Sequence, residues 1–313
     1  MEKLIVTTSP HFKHPTTTTH IMGDVLIALS PAAVMSVVLH GWYALLMIAI
    51  CVGTAVLSEF LFNIITKREQ SVVDLSAAVT GLLLALNLPS TVTPWQCIVG
   101  AVFAIVVVKC LFGGIGCNFA NPAITARVLL LIAFTDSVAG GALFGSTEGL
   151  VGGATPLEAL KGGAFVSELP SLLEMLVGLR GGAIGEGCAL ALILGGVYLI
   201  VKRVINWQVP VIFIGTVFVL ALILSGNIIT AVYHLLGGGL LIGAIFMATD
   251  YSTTPINLRG KMVFALGAGL ITVLIRFFGS YPEGVSFAIL LMNILSPYIE
   301  KWTAKKPFGG AKK

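Results

Sequence analysis

Gln208-Val209-Pro210-Val211-Ile212-Phe213-Ile214-Gly215-Thr216-Val217-Phe218-Val219-Leu220-Ala221-Leu222-Ile223-Leu224-Ser225 contains no charged residue. At 1.5 Å per residue it makes a helix about 27 Å long. The hydrocarbon core of a bilayer is about 30 Å thick. A run of this length and apolarity reads as a membrane span. Nine further apolar runs surround it, so the candidate spans are 21–40, 42–65, 75–88, 94–112, 122–135, 184–201, 208–225, 228–246, 262–278 and 284–299. The third and fifth are short and read as half-helices or as helices running into broken backbone.

Composition agrees. Of 313 residues, 57% are hydrophobic and 10% are charged. A soluble domain is typically about 25% charged, so a water-facing shell is excluded. Disorder needs low hydrophobicity and high net charge, which excludes it too. The net charge of +4 sits mostly in short clusters. It reads as an orientation signal and not as a nucleic-acid footprint, so no nucleic-acid partner is expected. The first 20 residues are polar and Thr-rich, with no cleavable signal peptide expected. Cys51, Cys97, Cys110, Cys117 and Cys188 are scattered, without a CxxC or disulfide pattern. They read as small buried hydrophobes, and no metal site is expected.

Lys3, Lys13, Lys67, Arg68, Lys109, Lys202, Arg203, Arg259, Lys261, Lys301 and the tail lysines all fall on one side if the spans alternate. The other side has Lys161, Arg180 and Arg276. The positive-inside rule then makes both termini cytoplasmic. The long connection carries a net charge of −3 and faces outward. The expected division is a cytoplasmic segment 1–20, a first membrane repeat 21–135, an extracytoplasmic loop 136–183, a second membrane repeat 184–300 and a basic cytoplasmic tail 301–313. Within the loop, Ser171 to Leu179 reads as an amphipathic surface helix.

The fold class is therefore an all-α polytopic membrane protein with about ten transmembrane helices, broken in places, in two five-helix repeats. Two signals bear on the repeat. Polar breaks at Gly113 to Pro122 and at Met247 to Pro255 pair spans three to five with seven to nine, an even offset giving parallel units. The long loop divides the chain five and five, an odd offset giving inverted units. The five-plus-five inverted arrangement is the expectation. Repeats with broken helices place a site near the repeat interface.

Ionisable residues inside spans are costly and mark function by default. Asp24, Glu59 and Glu186 are candidates for an ion path, with Glu59 the deepest. Lys109, Arg127 and Arg276 lie near span ends, where snorkelling is the plainer reading. His234 reads as a packing histidine. At the helix breaks, Asn118, Asn121, Arg127, Asp250 and Arg259 are candidate ligand or charge residues. Asn121-Pro122-Ala123 resembles the water-channel motif, but the second half offers Thr254-Pro255-Ile256 instead. The simpler reading makes Asn121 an N-cap and Pro122 the first helical residue. Backbone donors after Asn121 and Thr254 are expected to face a ligand or paired charge, and Asp250 is the expected counter-charge for Arg127 or Arg259.

Gly152-Gly153-Ala154-Thr155-Pro156-Leu157-Glu158 reads locally as loop followed by a capping box, with Thr155 at the N-cap and Glu158 as its reciprocal partner. The same stretch resembles the flavin-attachment motif of a family of respiratory membrane subunits. That family contains the D subunit of the Rnf complex, an ion-translocating ferredoxin:NAD oxidoreductase, and the B subunit of the sodium-pumping NADH:quinone reductase. Ser9-Pro10-His11, Ile21-Met22, Ala28-Leu29-Ser30-Pro31-Ala32, Phe119-Ala120-Asn121-Pro122-Ala123 and the Asp250-to-Pro255 segment are similar to family features too. The likeness covers essentially the whole chain, and the chain length suits the D subunit.

The resemblance implies covalent FMN on Thr155 as a phosphoester, with Gly152, Gly153, Ala154, Pro156 and Glu158 as motif neighbours. It implies a flavin transferase for maturation and other membrane and peripheral subunits as partners. It also implies a translocase role in electron transport between ferredoxin and NAD, coupled to Na⁺ or H⁺ movement, in the prokaryotic cytoplasmic (inner) membrane. A second, non-covalent riboflavin belongs to the same implication. The signature usually has an acidic residue six before the Thr and a Ser or Thr three before it; these positions are Gly149 and Gly152, with Glu148 adjacent to the first. The chain shows no NAD fingerprint and no iron–sulfur ligand pattern. A stand-alone internal-repeat transporter or channel, or a non-redox scaffold subunit, are the alternatives.

Overall fold

A computed structural model describes residues 17–139, 141–142, 152–153, 155–162, 169–178, 182–281 and 283–304. Lys3, Lys13, Ser9 to His11, Glu148, Gly149, Ala154, Arg180 and the tail beyond 304 lie outside the described residues. The regular structure among the described residues is helical, apart from an isolated bridge between Pro89 and Ala183 and one two-residue ladder in which β1 (Gly141–Ala142) runs antiparallel to β2 (Gly152–Gly153).

The first two helices follow from caps and apolar length. Helix α1 (Thr18–His40) starts where the Thr17 side chain accepts from the His20 N–H. It ends at Gly41, whose φ of +69° turns the chain directly into α2 (Trp42–Ile65). Helix α3 (Ser76–Leu86) has only 11 residues, and nine of them are buried. A helix apolar all round must be enclosed by protein or lipid, and this one is enclosed by protein. Gly81 allows α2 to approach: a Cβ there would lie 2.7 Å from the Cys51 carbonyl oxygen. Small residues at a helix interface permit such contact.

Helix α4 spans Pro94–Cys110 and changes to π geometry over Phe103–Cys110. Helix α5 (Pro122–Ala133) leads through the single turn α6 (Thr135–Val138) into the long connection. That connection contains α7 (Pro156–Lys161) and α8 (Leu172–Val177), each opened by a capping box. The second half holds α9 (Ala189–Val201), α10 (Gln208–Ser225), α11 (Ile228–Leu236), α12 (Leu240–Met247), α13 (Leu258–Phe278) and α14 (Val285–Thr303).

Among the described residues, four helices are long and apolar enough to cross a membrane: α1, α2, α10 and α13. The bent pair α11–α12, angled at 63°, makes a fifth if counted as one span. Ranges 42–65 and 208–225 match the sequence reading, and the third and fifth runs are short as expected. The run 228–246 is not one helix. Gly237, Gly238 and Gly239 break it, the last two at φ +65° and +66°, a region that costs a side-chain-bearing residue energy. The run 184–201 likewise starts late, because 184–186 form a 3₁₀ turn.

Helix α1 packs on α9, α2 on α3 and α4, α10 on α11 and α13, and α13 on α14. Large apolar side chains such as Leu57, Ile64, Val219, Ile223 and Leu274 remain exposed on the outside, as a lipid-facing surface requires. The stretch after α3 is sealed by the entry to α9: the Ile184 N–H donates to the Leu88 carbonyl, 3.0 Å.

Candidate functional site

Glu59 and Lys109 meet in the interior. Lys109 Nζ donates to Glu59 Oε1 at 2.7 Å and to Ser76 Oγ at 2.7 Å. Ser71 Oγ donates to the same Glu59 oxygen at 2.6 Å, and Asn63 Nδ2 donates to Ser71 Oγ at 3.1 Å. Glu59 Oε2 is buried without a partner. The expectation that Lys109 snorkels is therefore wrong: its side chain is 2% exposed. The π segment that ends α4 carries it, and such turns often accompany functional positions. Arg127 and Arg276, 4% and 3% exposed, do not snorkel either.

Lys109 also lines a cavity of about 90 Å³ whose wall includes Asn118, Asn121, Phe246, Thr249 and Asp250. The structure thus gathers three of the break residues, Asn118, Asn121 and Asp250, at one place. Asn118 Oδ1 is buried there without a partner. Asn121 is an N-cap: its Oδ1 accepts from the Ala123 and Ile124 N–H groups. Those donors face the cap and not a separate ligand, contrary to expectation. No helix starts at Pro255 either; α13 begins at Leu258 after Asn257.

Asp250 is not the counter-charge of Arg127 or Arg259. Its carboxylate accepts from the Ser252 N–H at 3.1 Å, Ser252 Oγ at 2.9 Å and Thr253 Oγ1 at 3.2 Å, closing a local turn. Burial pushes the Asp250 carboxyl above the usual carboxylate range, opposed in part by these hydrogen bonds. Arg259 is exposed. Asp24 accepts from the Tyr198 hydroxyl at 2.8 Å, a link between α1 and α9 away from Glu59.

Arg127 pairs instead with the Glu283 carboxylate and donates to Ser286 Oγ at 2.8 Å. Arg276 lies beside them. It donates to the backbone oxygens of His234, Gly237 (3.1 Å), Gly238 (3.2 Å) and Glu283 (2.9 Å). These include carbonyls freed where α11 ends, so a cation caps the negative end of that half-helix. Glu186 sits at the start of the other half: a Cβ on Gly239 would stand 2.8 Å from Glu186 Oε1 and 3.6 Å from Arg127 Nη1. Two arginines and two glutamates thus surround the break. Glu186 belongs to this knot and not with Glu59, so the three ion-path candidates lie at three separate places. His234 stacks on Phe277 with ring centroids 4.9 Å apart, as a packing histidine would, but its Nδ1 is buried without a partner among the described residues.

Thr155 stands at the head of α7. Its Oγ1 accepts from the Glu158 N–H at 3.3 Å, and the Glu158 carboxylate accepts from the Thr155 N–H at 3.4 Å. The capping box is as the sequence reads it, with Pro156 at the first helical position. Thr155 is 7% exposed, and among the described residues its hydroxyl donates to nothing. Gly152 and Gly153, which form β2, precede it in the chain. Leu157 packs on Gly237 and Gly238, and Lys161 Nζ donates to the Gly279 carbonyl.

Sequence reasoning missed Glu283, Ser286, Ser71 and Ser76. Glu283 carried a usable signal, since Arg127 and Arg276 needed an acid beyond Glu186. The serines gave none, because a hydroxyl at the edge of an apolar run is common.

Comparison with known proteins gives a consistent result. A family described as NQR2, RnfD, RnfE matches residues 5–309. The chain is 43% identical over 311 residues to the D subunit of the Na⁺-translocating ferredoxin:NAD⁺ oxidoreductase complex of Acetobacterium woodii, covering 99% of this chain and 96% of that one. It is 40% identical to the D subunit of the proton-translocating ferredoxin:NAD⁺ oxidoreductase complex of Clostridium ljungdahlii, covering 97% and 96%. The D subunit of an ion-translocating oxidoreductase complex from Halorhodospira halophila is 36% identical, covering 96% and 94%.

Proposed function

Because the chain belongs to the NQR2, RnfD, RnfE family, we propose that it is the D-type membrane subunit of an ion-translocating ferredoxin:NAD oxidoreductase complex. In this reading Thr155 carries FMN as a phosphoester. The observation that carries it is the Thr155 hydroxyl, held in place by the Glu158 N–H with its own proton unengaged among the described residues. The donor set fits: an oriented hydroxyl, glycines close by, and a tethering helix seated on the membrane helices. Bound FMN supplies one- and two-electron chemistry. The chain's part is to hold the tether, shape the surroundings and place charge near them.

The Asn118–Asp250 cavity has the polar character of a small-molecule site but not the volume for a non-covalent riboflavin. A mostly apolar wall with a few convergent polar groups is the usual form of a small-molecule site, and Asn118 Oδ1 awaits a donor. About 90 Å³ is less than a tricyclic ring system needs, so no riboflavin site is assigned there. Other subunits of the complex supply the NAD and iron–sulfur sites, and a flavin transferase matures Thr155. The relatives are named for two different ions, so the family likeness does not choose between Na⁺ and H⁺.

In the same reading α14, the short helices α3, α4, α5 and α9 and the bent pair join the four long helices to make ten crossings in the prokaryotic cytoplasmic membrane, with both termini cytoplasmic. Contacts of α2 with α3 and α4 parallel those of α10 with α11 and α13. This supports the division into repeats 21–135 and 184–300; the inverted relation rests on the odd offset of five spans alone. The test is flavin release from the purified complex. Expected are a fluorescent band for this subunit on a denaturing gel and free riboflavin in the acid supernatant. A dark band with an active complex removes the covalent flavin from the reading.

A further inference from the structure

The break between α11 and α12 has a role that the ion-path reading leaves unused. It forms half of a seat on which α7 rests. Leu157, 3% exposed, is the tooth: a Cβ on Gly238 would stand 2.4 Å from Leu157 Cδ1, and one on Gly237 would stand 3.0 Å from Leu157 Cγ. The other half of the seat is the turn from α13 to α14. Lys161, in the last turn of α7, donates to the Gly279 carbonyl and, at 3.4 Å, to the Tyr281 carbonyl.

Arg276 joins the two halves. Its Nη1 and Nη2 donate to His234, Gly237 and Gly238, and its Nε donates to Glu283. One side chain thus holds both supports of α7, and the Gly238 carbonyl it grips belongs to the residue Leu157 touches. The planar fork explains the choice of arginine, since a lysine ammonium lacks the fixed geometry to serve two separated strands of backbone. Glu283, whose backbone oxygen accepts from Arg276, also pairs its carboxylate with Arg127.

We propose that Arg276, through Gly238 and Leu157, is a positioning residue for Thr155: it fixes where α7 presents the Thr155 hydroxyl for modification and how firmly the attached group is held. The proposal rests on the reading of Thr155 as the flavin-bearing residue. Arg276 acts through two packed contacts, its grip on Gly238 and that residue's contact with Leu157. Lys161 is its weaker companion at the opposite end of the helix.

The test uses the whole complex produced with its flavin transferase, in wild-type form and with Arg276→Lys, Arg276→Gln, Leu157→Ala and Lys161→Gln. Three quantities are read: the modified fraction of the peptide spanning 149–161, the fluorescence anisotropy of the bound flavin, and hydrogen exchange of the peptides covering 156–161 and 228–239. Arg276→Gln is expected to lower the modified fraction at least threefold and speed exchange in both peptides at least tenfold. Leu157→Ala should lower anisotropy and speed exchange in 156–161 while leaving 228–239 unchanged. Arg276→Lys should fall between wild type and Arg276→Gln, and Lys161→Gln should loosen only 156–161. Arg276→Gln complex that assembles with unchanged occupancy, anisotropy and exchange overturns the proposal. If Arg276→Gln does not assemble, Leu157→Ala decides alone, and wild-type behaviour in it overturns the proposal equally. An unmodified Thr155 in the wild type would instead defeat the flavin reading, while the exchange data would still report on the seat.

Discussion

Lys109 Nζ stands 2.7 Å from Glu59 Oε1, and both side chains are 2% exposed. The pair joins α2 to the end of α4, and Lys109 forms part of the cavity wall. Each charge is tolerable inside only because the other is present, with Ser71 and Ser76 supplying further hydrogen bonds.

Removing one partner should therefore cost more than removing both. Lys109→Met strands the Glu59 carboxylate and is expected to cost about 3–5 kcal/mol. The double variant Lys109→Met with Glu59→Gln should recover at least about 1 kcal/mol of that loss, since interacting residues are non-additive. Unfolding of the four proteins in a fixed detergent measures the cycle. Strict additivity would mean that the pair is not coupled.

Thr155→Ala is expected to abolish covalent flavin, because no hydroxyl remains to form the ester. It also removes an N-cap, which costs about 1 kcal/mol. Thr155→Ser keeps the hydroxyl and the cap and should retain part of the modification. Peptide mass across 149–161 measures both; full flavin on the alanine variant would move the attachment site elsewhere.

Asp250 gives a pH-dependent prediction. Its folded carboxyl sits above its ordinary value because burial penalises the charge. The stability it contributes is thus complete below the unfolded value and declines as pH rises through the folded one. Asp250→Asn removes the charge and should raise Tm by on the order of 2 °C at pH 7.5. The advantage should shrink towards pH 4. A variant less stable at pH 7.5 than at pH 4, relative to wild type, would show that the three hydrogen bonds to the carboxylate outweigh its burial.

The orientation follows from the lysine and arginine bias. Single cysteines at Ser146 and Ala304, in a background without native thiols, report it. Ala304 is exposed and follows the last helix, which makes it a better probe than the hydrogen-bonded Thr303. An impermeant thiol reagent on whole cells should label position 146 and spare 304; the opposite pattern reverses the topology.

The sequence made the long helices legible because length and apolarity determine them almost alone. Helices α2 and α10 have the ends read from the apolar runs. The capping box at Thr155 was legible for a similar reason, since it depends on residues three apart. The break at Gly237 to Gly239 was read through, because surrounding apolar residues continue the pattern and only long-range contacts decide that the chain turns there. Pairing of charges was the least legible. Glu59 and Lys109 lie 50 positions apart, and Arg127 and Glu283 lie 156 apart. Their meeting depends on how the helices pack. Asp250 was misassigned because Ser252 and Thr253, two and three residues away, satisfy it locally.

The seal between Leu88 and Ile184 has a consequence for biosynthesis. Helix α3 is too short to remain in a bilayer by itself, and the backbone beyond its end is closed by a strand of chain nearly a hundred residues downstream. The ribosome must therefore deliver the whole long connection and the entry to α9 before the first half can finish folding. Until then the translocon, or a chaperone in its place, must shelter α3. A nascent chain stalled ahead of Ile184 should be a substrate for membrane proteases, and one stalled after α9 should begin to resist them.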